Sequence, residues 1–457
     1  MTHSLVNLVR DAGVVGAGGA GFPTHVKIDT RIEILIANGT ECDPLLRADR
    51  NLMAHHPREI LRGLKLVQEA TGAKRVILAL KREYAEAAAA LQAAGAGKDG
   101  IEIHLSESMY PAGDEFVLVR ELTGRMVPET GLPLDVGCLV QNVATLHQIA
   151  QASQGHPVTS RCVTISGEVN EPKTVIAPIG TPIRDLLRAA GGVRRAKWQP
   201  ALSEESALDE FGVVIGGPMM GKLASGLEQS VVKTTSGVLF LPRGGAVVRY
   251  LERPGGSWVR RGRSTCDQCR DCTDLCPRHL LGHNFRPHEV MRAVNYGLTQ
   301  QPDIITSAVL CCECRLCEAY ACPLELSPMA YYVALKRELR NSGWVNDRHH
   351  RAELAPHPMR EFRQVPTKRL IAHLGLADYD ERGAPLDDAP LHPKSVRIPL
   401  RQHIGAPAEP IVSAGQKVGV GTLIGRIPDG KLGANVHASI SGVVAQVTPE
   451  AVVIEAK

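Results

Sequence analysis

The chain has 457 residues, 44% of them hydrophobic, which is enough for about three domains with real cores. Lys plus Arg is 52 against 48 Asp plus Glu, leaving +4 spread along the chain, a balance that argues against nucleic acid as the main partner. No apolar run reaches the roughly eighteen residues of a membrane span, and the start MTHSLVNLVRDAG lacks the basic end and apolar core of a secretory signal. A cytoplasmic location, with reduced cysteines, is therefore expected.

Residues 1–155 read as α/β. Ser4–Val9 is a short helix candidate. Ile32–Ala37, Arg75–Leu80 and Ile101–Leu105 are apolar runs of strand length, separated by helical patterns over Pro57–Ala70 and Glu83–Ala94; a further helix is expected over Gly137–Ala152. That alternation predicts a mostly parallel sheet with helices on both faces. Two loops stand out. Gly16-Ala17-Gly18-Gly19-Ala20-Gly21-Phe22-Pro23-Thr24 would let backbone N–H groups approach a phosphate, with Lys27 just downstream, although a structural Gly-rich turn reads equally well. Asn38-Gly39-Thr40-Glu41-Cys42-Asp43-Pro44 follows a strand, where open α/β sheets bind ligands; by pattern alone a polar turn closed by Pro44 is the plainer reading.

Residues 156–245 predict a small α+β module. Its strands fall at Cys162–Val169, Lys173–Ala177 and Val213–Ile215, with a helix over Ile183–Ala190 started by Thr181 and Pro182 and ended by Gly191. Gly216–Gly221 reads as a packing turn, with Met219 and Met220 in the core. In residues 246–345, helices are expected over Pro287–Leu298 and after Ser327-Pro328, and His279 and His283 read as solvated. Residues 346–392 read as a linker that partly docks, with one helix around Lys368–Leu374 and a solvated Asp347–His350. In 393–457, short strands at Val396–Leu400, Thr422–Arg426, Gly442–Val447 and Val452–Ile454 predict a small β barrel or sandwich.

Nine of the twelve cysteines lie between Cys266 and Cys322. Cys266, Cys269, Cys272 and Cys276 with Pro277 form C-x2-C-x2-C-x3-C-P, the run that holds [4Fe–4S] clusters in bacterial ferredoxins; Cys311, Cys314, Cys317 and Cys322 with Pro323 repeat it with one more residue before the last cysteine. Three thiolates on a tight loop reach three corners of one cubane, and the fourth cysteine serves the other cluster. Cys266, Cys269, Cys272 and Cys322 are thus assigned to one cluster, and Cys311, Cys314, Cys317 and Cys276 to the second. Zinc sites or a disulfide framework are the alternatives, but zinc spacing comes as separated C-x2-C pairs. Cys312 is spare, and Cys42, Cys138 and Cys162 read as isolated buried thiols. No G-x-S-x-G, H-E-x-x-H or Walker loop supports hydrolysis or phosphoryl transfer.

Taken together, four motifs resemble the FMN-binding flavoprotein subunit of respiratory complex I. They are the Gly16–Thr24 loop, Asn38–Pro44, Tyr110-Pro111-Ala112-Gly113-Asp114-Glu115 and Gln141-Asn142-Val143-Ala144-Thr145. Residues 160–235 resemble the β-grasp (SLBB-type) module of that superfamily, and Ile215–Gly221 with the doubled cysteine runs resembles the RnfC component of the Rnf electron-transport complex. The barrel comes last here, an order similar to that of the cobalamin reductases of propanediol-utilisation microcompartments, and this likeness covers nearly the whole chain. The barrel is similar to lipoyl and biotinyl carrier domains, but its hairpin, Ala438-Ser439-Ile440-Ser441-Gly442, has no lysine to modify.

The resemblance implies a multidomain α/β protein: a Rossmann-like FMN-binding domain (1–155), a β-grasp module (156–245), a two-cluster ferredoxin-like helical domain (246–345), a linker (346–392) and a barrel-sandwich hybrid domain (393–457). It implies that Gly16, Gly18, Gly19, Gly21, Lys27, Asn38, Asp114, Asn142 and Thr145 hold FMN, and that Phe22, Glu41, Asp43 and Glu115 face NADH. Thr40 stands where the complex I family has an acid, and Ile28-Asp29 follow Lys27 where that family has a second aromatic. The implied activity passes electrons from NADH through FMN and two [4Fe–4S] clusters to cobalamin, or to a corrinoid-dependent enzyme system, inside a bacterial microcompartment, with a shell protein or ferredoxin as partner. The alternative is an electron-transfer adaptor between NADH or ferredoxin and a partner redox protein, without a corrinoid site; no D-x-H-x-x-G motif is present.

Overall fold

The computed structural model describes residues 4–98, 100–194, 207–252, 257–298 and 300–457. The N-terminal domain is built on a parallel four-stranded sheet, β1 (Ile34–Gly39), β2 (Arg75–Lys81), β3 (Ile101–Ser106) and β5 (Cys138–Asn142), in the order β3-β2-β1-β5. Alternate residues of β1 serve opposite faces. Leu35 and Ala37 join one core with Leu64 and Val67 of helix Pro57–Thr71 and Leu146 and Ile149 of helix Val143–Ala152. Ile34 and Ile36 join another with Leu118 and Val119 of helix Glu115–Thr123. Both faces are covered, as the sequence pattern predicts for a parallel sheet.

One predicted element is corrected here. Gly137–Ala152 is not a single helix: Cys138–Asn142 is strand β5, and the helix starts at Val143 with Asn142 as its cap. Cys138-Leu139-Val140 is buried on both sides, and an apolar run of that kind has no period that separates strand from helix. The short β4 (Met109–Tyr110) precedes the loop to helix Glu115–Thr123.

The second module carries β6 (Ser160–Gly167), β7 (Lys173–Pro178), β8 (Phe211–Ile215), β9 (Lys222–Leu223) and β10 (Gly237–Pro242), with helix Ile183–Ala189 packed on the sheet. Pro182, not Thr181, occupies the cap position of this helix, which has no side-chain cap; the Thr181 hydroxyl donates to the Pro178 carbonyl at 2.7 Å instead. Residues 346–392 dock more thoroughly than a linker. β11 (Val365–Pro366) pairs with β4, β12 (Leu386–Asp387) extends the second sheet beside β7, and two helices, Thr367–His373 and Ala377–Arg382, lie between them. Asp347, Arg348 and His350 are exposed, as expected of a solvated stretch, but His349 is buried and its Nε2 is 2.8 Å from the Thr306 hydroxyl.

The C-terminal barrel is formed by β13 (Ser395–Pro399), β14 (Glu409–Pro410), β15 (Lys417–Val418), β16 (Leu423–Arg426), β17 (Val436–His437), β18 (Gly442–Val447) and β19 (Ala451–Ala456), in sheets β13-β19-β18-β15 and β14-β16-β17. Its apolar residues are continuous with the core of the first domain. Lys233 ties three parts together: fully buried, it donates from Nζ to the carbonyls of Gly13 and Asn435, each at 2.6 Å. Burial pushes its pKa down to about 7. The carrier-type hairpin is not free to swing, since Ala438 and Ser439 are buried and the Ser439 hydroxyl donates to Ile179 of the second module.

Candidate electron-transfer site

The Gly-rich loop is closed by Gly16 N–H donating to the Phe22 carbonyl at 2.9 Å. It lies against the carboxyl ends of β1 and β5, where Asn38 and Asn142 are register partners. Ala17 N–H donates to the buried Thr145 hydroxyl at 2.9 Å. A side chain on Gly18 would meet Asn142 Nδ2 at 2.9 Å, one on Gly113 would meet the Thr40 carbonyl at 2.7 Å, and Gly19 faces open space. Glycine at 18 and 113 thus keeps backbone close to its neighbours around a cradle, and the residues present fit a flavin there.

The remaining polar residues of the site hold one another. Asn38 Nδ2 donates to the Gly113 carbonyl at 3.0 Å, and its Oδ1 accepts from Thr40 N–H and hydroxyl at 3.1 and 2.7 Å. Asn142 Oδ1 caps the following helix by accepting from Ala144 N–H at 2.9 Å, while Nδ2 donates to Asp49 at 2.6 Å. Lys27 and Glu115 form an ion pair at 2.8 Å. Asp114 caps helix Glu115–Thr123. Phe22 is partly exposed at the mouth of the loop.

Two expected nucleotide-facing acids are placed differently from each other. Both oxygens of Asp43 are engaged, accepting from Met219 and Met220 N–H at 2.9 Å each, so the turn Gly216–Gly221 cradles a carboxylate. Met219 is buried but Met220 is exposed, which corrects the expectation of a core pair. Glu41 keeps a buried Oε2 without a hydrogen-bond partner. Burial, and then the neighbouring Asp49, push its carboxyl up to about 8. It lines a charged hollow with Arg47, Arg50, Lys81 and Lys368. Asp49 has no sequence signal, because it sits in the first turn of an ordinary helix, Ala48–His55.

The cysteine runs fold as a pair of matching loops. Gln268 and Arg270 in the first, and Glu313 and Arg315 in the second, all have positive φ, between 58° and 74°. These left-handed residues flank the second cysteine of each triple and curl the loop inward, at about 1–2 kcal/mol each. Cys266, Cys269, Cys272 and Cys322 line one hollow. Cys276 lies by Cys311, and Cys314 by Cys276 and Cys317. The fourth cysteine of each run is therefore found with the other run's triple. Among the described residues no three His, Cys, Asp or Glu side chains close on a single ion, and all twelve cysteines are unbridged. Two triples of cysteines, each joined by the fourth cysteine of the other run, fit a pair of cubanes. The additional residue before Cys322 is taken up as a π-helical turn, Cys317–Ala321. Cys312 lies beside Cys314. His283 is buried against Phe116, with ring centroids 5.7 Å apart, rather than solvated; burial lowers its pKa to about 4.

The flavin loops meet the second set of cysteines directly. The buried Tyr110 hydroxyl donates to the Cys314 carbonyl at 2.6 Å. Arg278, two residues past Cys276, donates to both oxygens of Asp114 at 2.7 and 2.9 Å.

Known families match four parts of the chain. The Nuo51 FMN-binding domain matches residues 9–151, the SLBB domain 162–223, the 4Fe-4S dicluster domain 265–327 and the RnfC barrel sandwich hybrid domain 381–457. A component of the Na(+)-translocating ferredoxin:NAD(+) oxidoreductase complex of Acetobacterium woodii is 33% identical over 62% of this chain and 59% of its own length. Cobalamin reductase PduS of Citrobacter freundii is 41% identical, and that of Salmonella typhimurium 42%, each over 98% of this chain and 95% of the relative. The chain belongs to the family of these cobalamin reductases.

Proposed function

We propose that the protein is an NADH-dependent oxidoreductase that passes electrons through FMN and two [4Fe–4S] clusters to cobalamin, taking cob(III)alamin to cob(II)alamin and cob(I)alamin. The observation that carries this reading is the direct joint between the flavin loops and the second cysteine set, through Asp114–Arg278 and Tyr110–Cys314. Bound in these sites, FMN supplies the exchange between hydride and single electrons, and the clusters supply one-electron transfer.

The chain's own residues have distinct parts in this scheme. Gly16, Gly18, Gly19 and Gly21 leave room for the flavin, and Lys27 offers it a positive charge. Asn38, Asp114, Asn142 and Thr145 hold its edge and side chain. Phe22, Glu41, Asp43 and Glu115 lie on the nicotinamide side, and burial pushes the Glu41 carboxyl up to about 8. Cys266, Cys269, Cys272 and Cys322 hold the first cluster, and Cys276, Cys311, Cys314 and Cys317 the second. The five-part division at residues 155, 245, 345 and 392 belongs to the same proposal, with the docked segment 346–392 acting as a brace. Among the described residues no helix is long and apolar enough to cross a membrane. The family membership supports a place inside a microcompartment, with a shell protein or ferredoxin as a further partner.

The test is an anaerobic assay of NADH with cob(III)alamin on FMN-reconstituted protein. Reduction is expected, and it should be lost when Cys266 and Cys311 are both changed to Ser. Reduction that persists in the double variant would take the clusters off the path. Turnover with ferredoxin but not with free cobalamin would replace the reductase by an adaptor.

A further inference from the structure

Arg278 lies in the short turn Pro277–Leu280. Its side chain is 9% exposed and crosses from the cysteine domain to Asp114 of the flavin domain. Besides the two hydrogen bonds to Asp114, its guanidinium carbon lies 4.1 Å from the centre of the Phe116 ring. Asp114 is itself held, accepting from the Phe116 and Val117 N–H groups at 3.0 and 3.2 Å. A bidentate fork stacked on a ring has little freedom left. On its other side, the cation is within electrostatic reach of Cys312 and Cys314, and the Arg278 backbone N–H points at the Cys276 sulfur. The cation thus faces the cysteine side, while the Asp114 carboxylate, held on the flavin side, opposes it at Cys312.

We infer that Arg278 is a positioning residue for electron transfer, whose fixed charge makes the cluster of Cys276, Cys311, Cys314 and Cys317 the easier of the two to reduce and the first to take an electron from the flavin side. Each one-electron reduction adds one negative charge to a cluster and its four thiolates, and a nearby fixed cation stabilises that charge. The electrons are those of the NADH hydride, two per hydride, delivered one at a time. The first cluster's cysteines meet neutral donors, Gln268 Nε2 on Cys266 at 3.2 Å and Leu326 N–H on Cys322 at 3.4 Å, whereas the second set has, besides Glu313 N–H on Cys311 at 3.3 Å, the cations Arg278 and Lys336 nearby.

The inference rests on the proposed function only in requiring both clusters; the acceptor does not enter. Its test is a potentiometric titration followed by low-temperature EPR on anaerobic full-length protein, with Cys266→Ser and Cys311→Ser identifying the two signals. Arg278→Gln is expected to move the second cluster's midpoint to more negative potential and leave the first unmoved. Arg278→Lys should restore most of that shift. Asp114→Asn, which keeps a helix cap but removes the opposing negative charge, should move the same midpoint to more positive potential. Equal shifts of both clusters, a Lys variant that behaves like Gln, or no shift in Gln would overturn the inference. If Arg278→Gln does not retain its second cluster, Asp114→Asn decides alone: a positive shift supports the inference, and a negative shift or none overturns it. A wild-type protein with only about four iron atoms would instead remove the two-cluster reading itself.

Discussion

The two cysteine loops share a backbone design and differ in what covers them. In both, left-handed residues at matching positions flank the middle cysteine of the triple. The first loop lies at an edge, with Cys269 exposed; Cys266 and Cys322 are half-buried, as are Cys311 and Cys317 of the second. The second is walled in. Tyr110 bonds to the Cys314 carbonyl, Arg315 Nε to the Met219 carbonyl at 2.8 Å, and Lys336 Nζ to the Cys311 carbonyl at 2.5 Å. One motif therefore sits in two settings according to its cover, one enclosed beside the Tyr110–Asp114 loop and one at the surface. Burial and nearby charge are among the factors that set a cluster's potential, so the difference bears on chemistry as well as on packing.

The sharpest way to break this comparison is to remove one shared cysteine. Cys276 belongs to the first run but lies with the second triple, and Cys322 the reverse. Cys276→Ser is expected to abolish the enclosed cluster's EPR signal, and Cys322→Ser that of the outer cluster, each with loss of about four iron atoms. Iron analysis and EPR on anaerobically purified variants check both. The opposite pairing of losses would show that each run holds its own cluster.

A smaller effect is expected at the wall of the second loop. Tyr110→Phe removes a hydroxyl that donates to the buried Cys314 carbonyl. Leaving that carbonyl unpaired costs about 1–3 kcal/mol. The loss should appear as faster release of the second cluster's iron to a chelator, with the outer cluster unaffected. Equal release from both would mean that Tyr110 supports the domain as a whole and not the junction.

How much of this is legible in sequence depends on whether a signal is local. The cysteine spacing is local, and so is the alternation of strands and helices in the first domain. Gly18 and Gly113 are visible as glycines, yet the Asn142 side chain and Thr40 carbonyl that require them are far away in sequence. Asp114 can be placed by its motif, but its Arg278 partner, 164 residues on, cannot. The burial of His283 and His349 escapes for the same reason: both are covered by residues from other segments. The π-helical turn at Cys317–Ala321 is visible as one residue too many, but its shape follows from where Cys322 must point. The docking of 346–392 rests on strands of only two residues each, below the length at which any pattern registers.

The last expected effect, seen only as a pH dependence, concerns the flavin side of the junction. Glu41 is half-buried, with its Oε2 enclosed and Asp49 nearby, and its carboxyl is raised from 4.5 to about 8 chiefly by desolvation. Between those values the folded protein holds a proton that the unfolded chain has released. Stability from this group is therefore full below about pH 4.5, falls as pH rises through that interval, and is lost above about 8. One linked proton gives a slope of at most about 1.4 kcal/mol per pH unit, and its coupling to Asp49 spreads the change over a wider range. Glu41→Gln keeps the size of the side chain and cannot ionise, so its Tm should decline less steeply with pH than that of the wild type. Thermal unfolding from pH 5 to 8 compares the two. Parallel curves would mean that Glu41 is ionised in the fold, its charge answered by Arg47 or Arg50 in the same hollow.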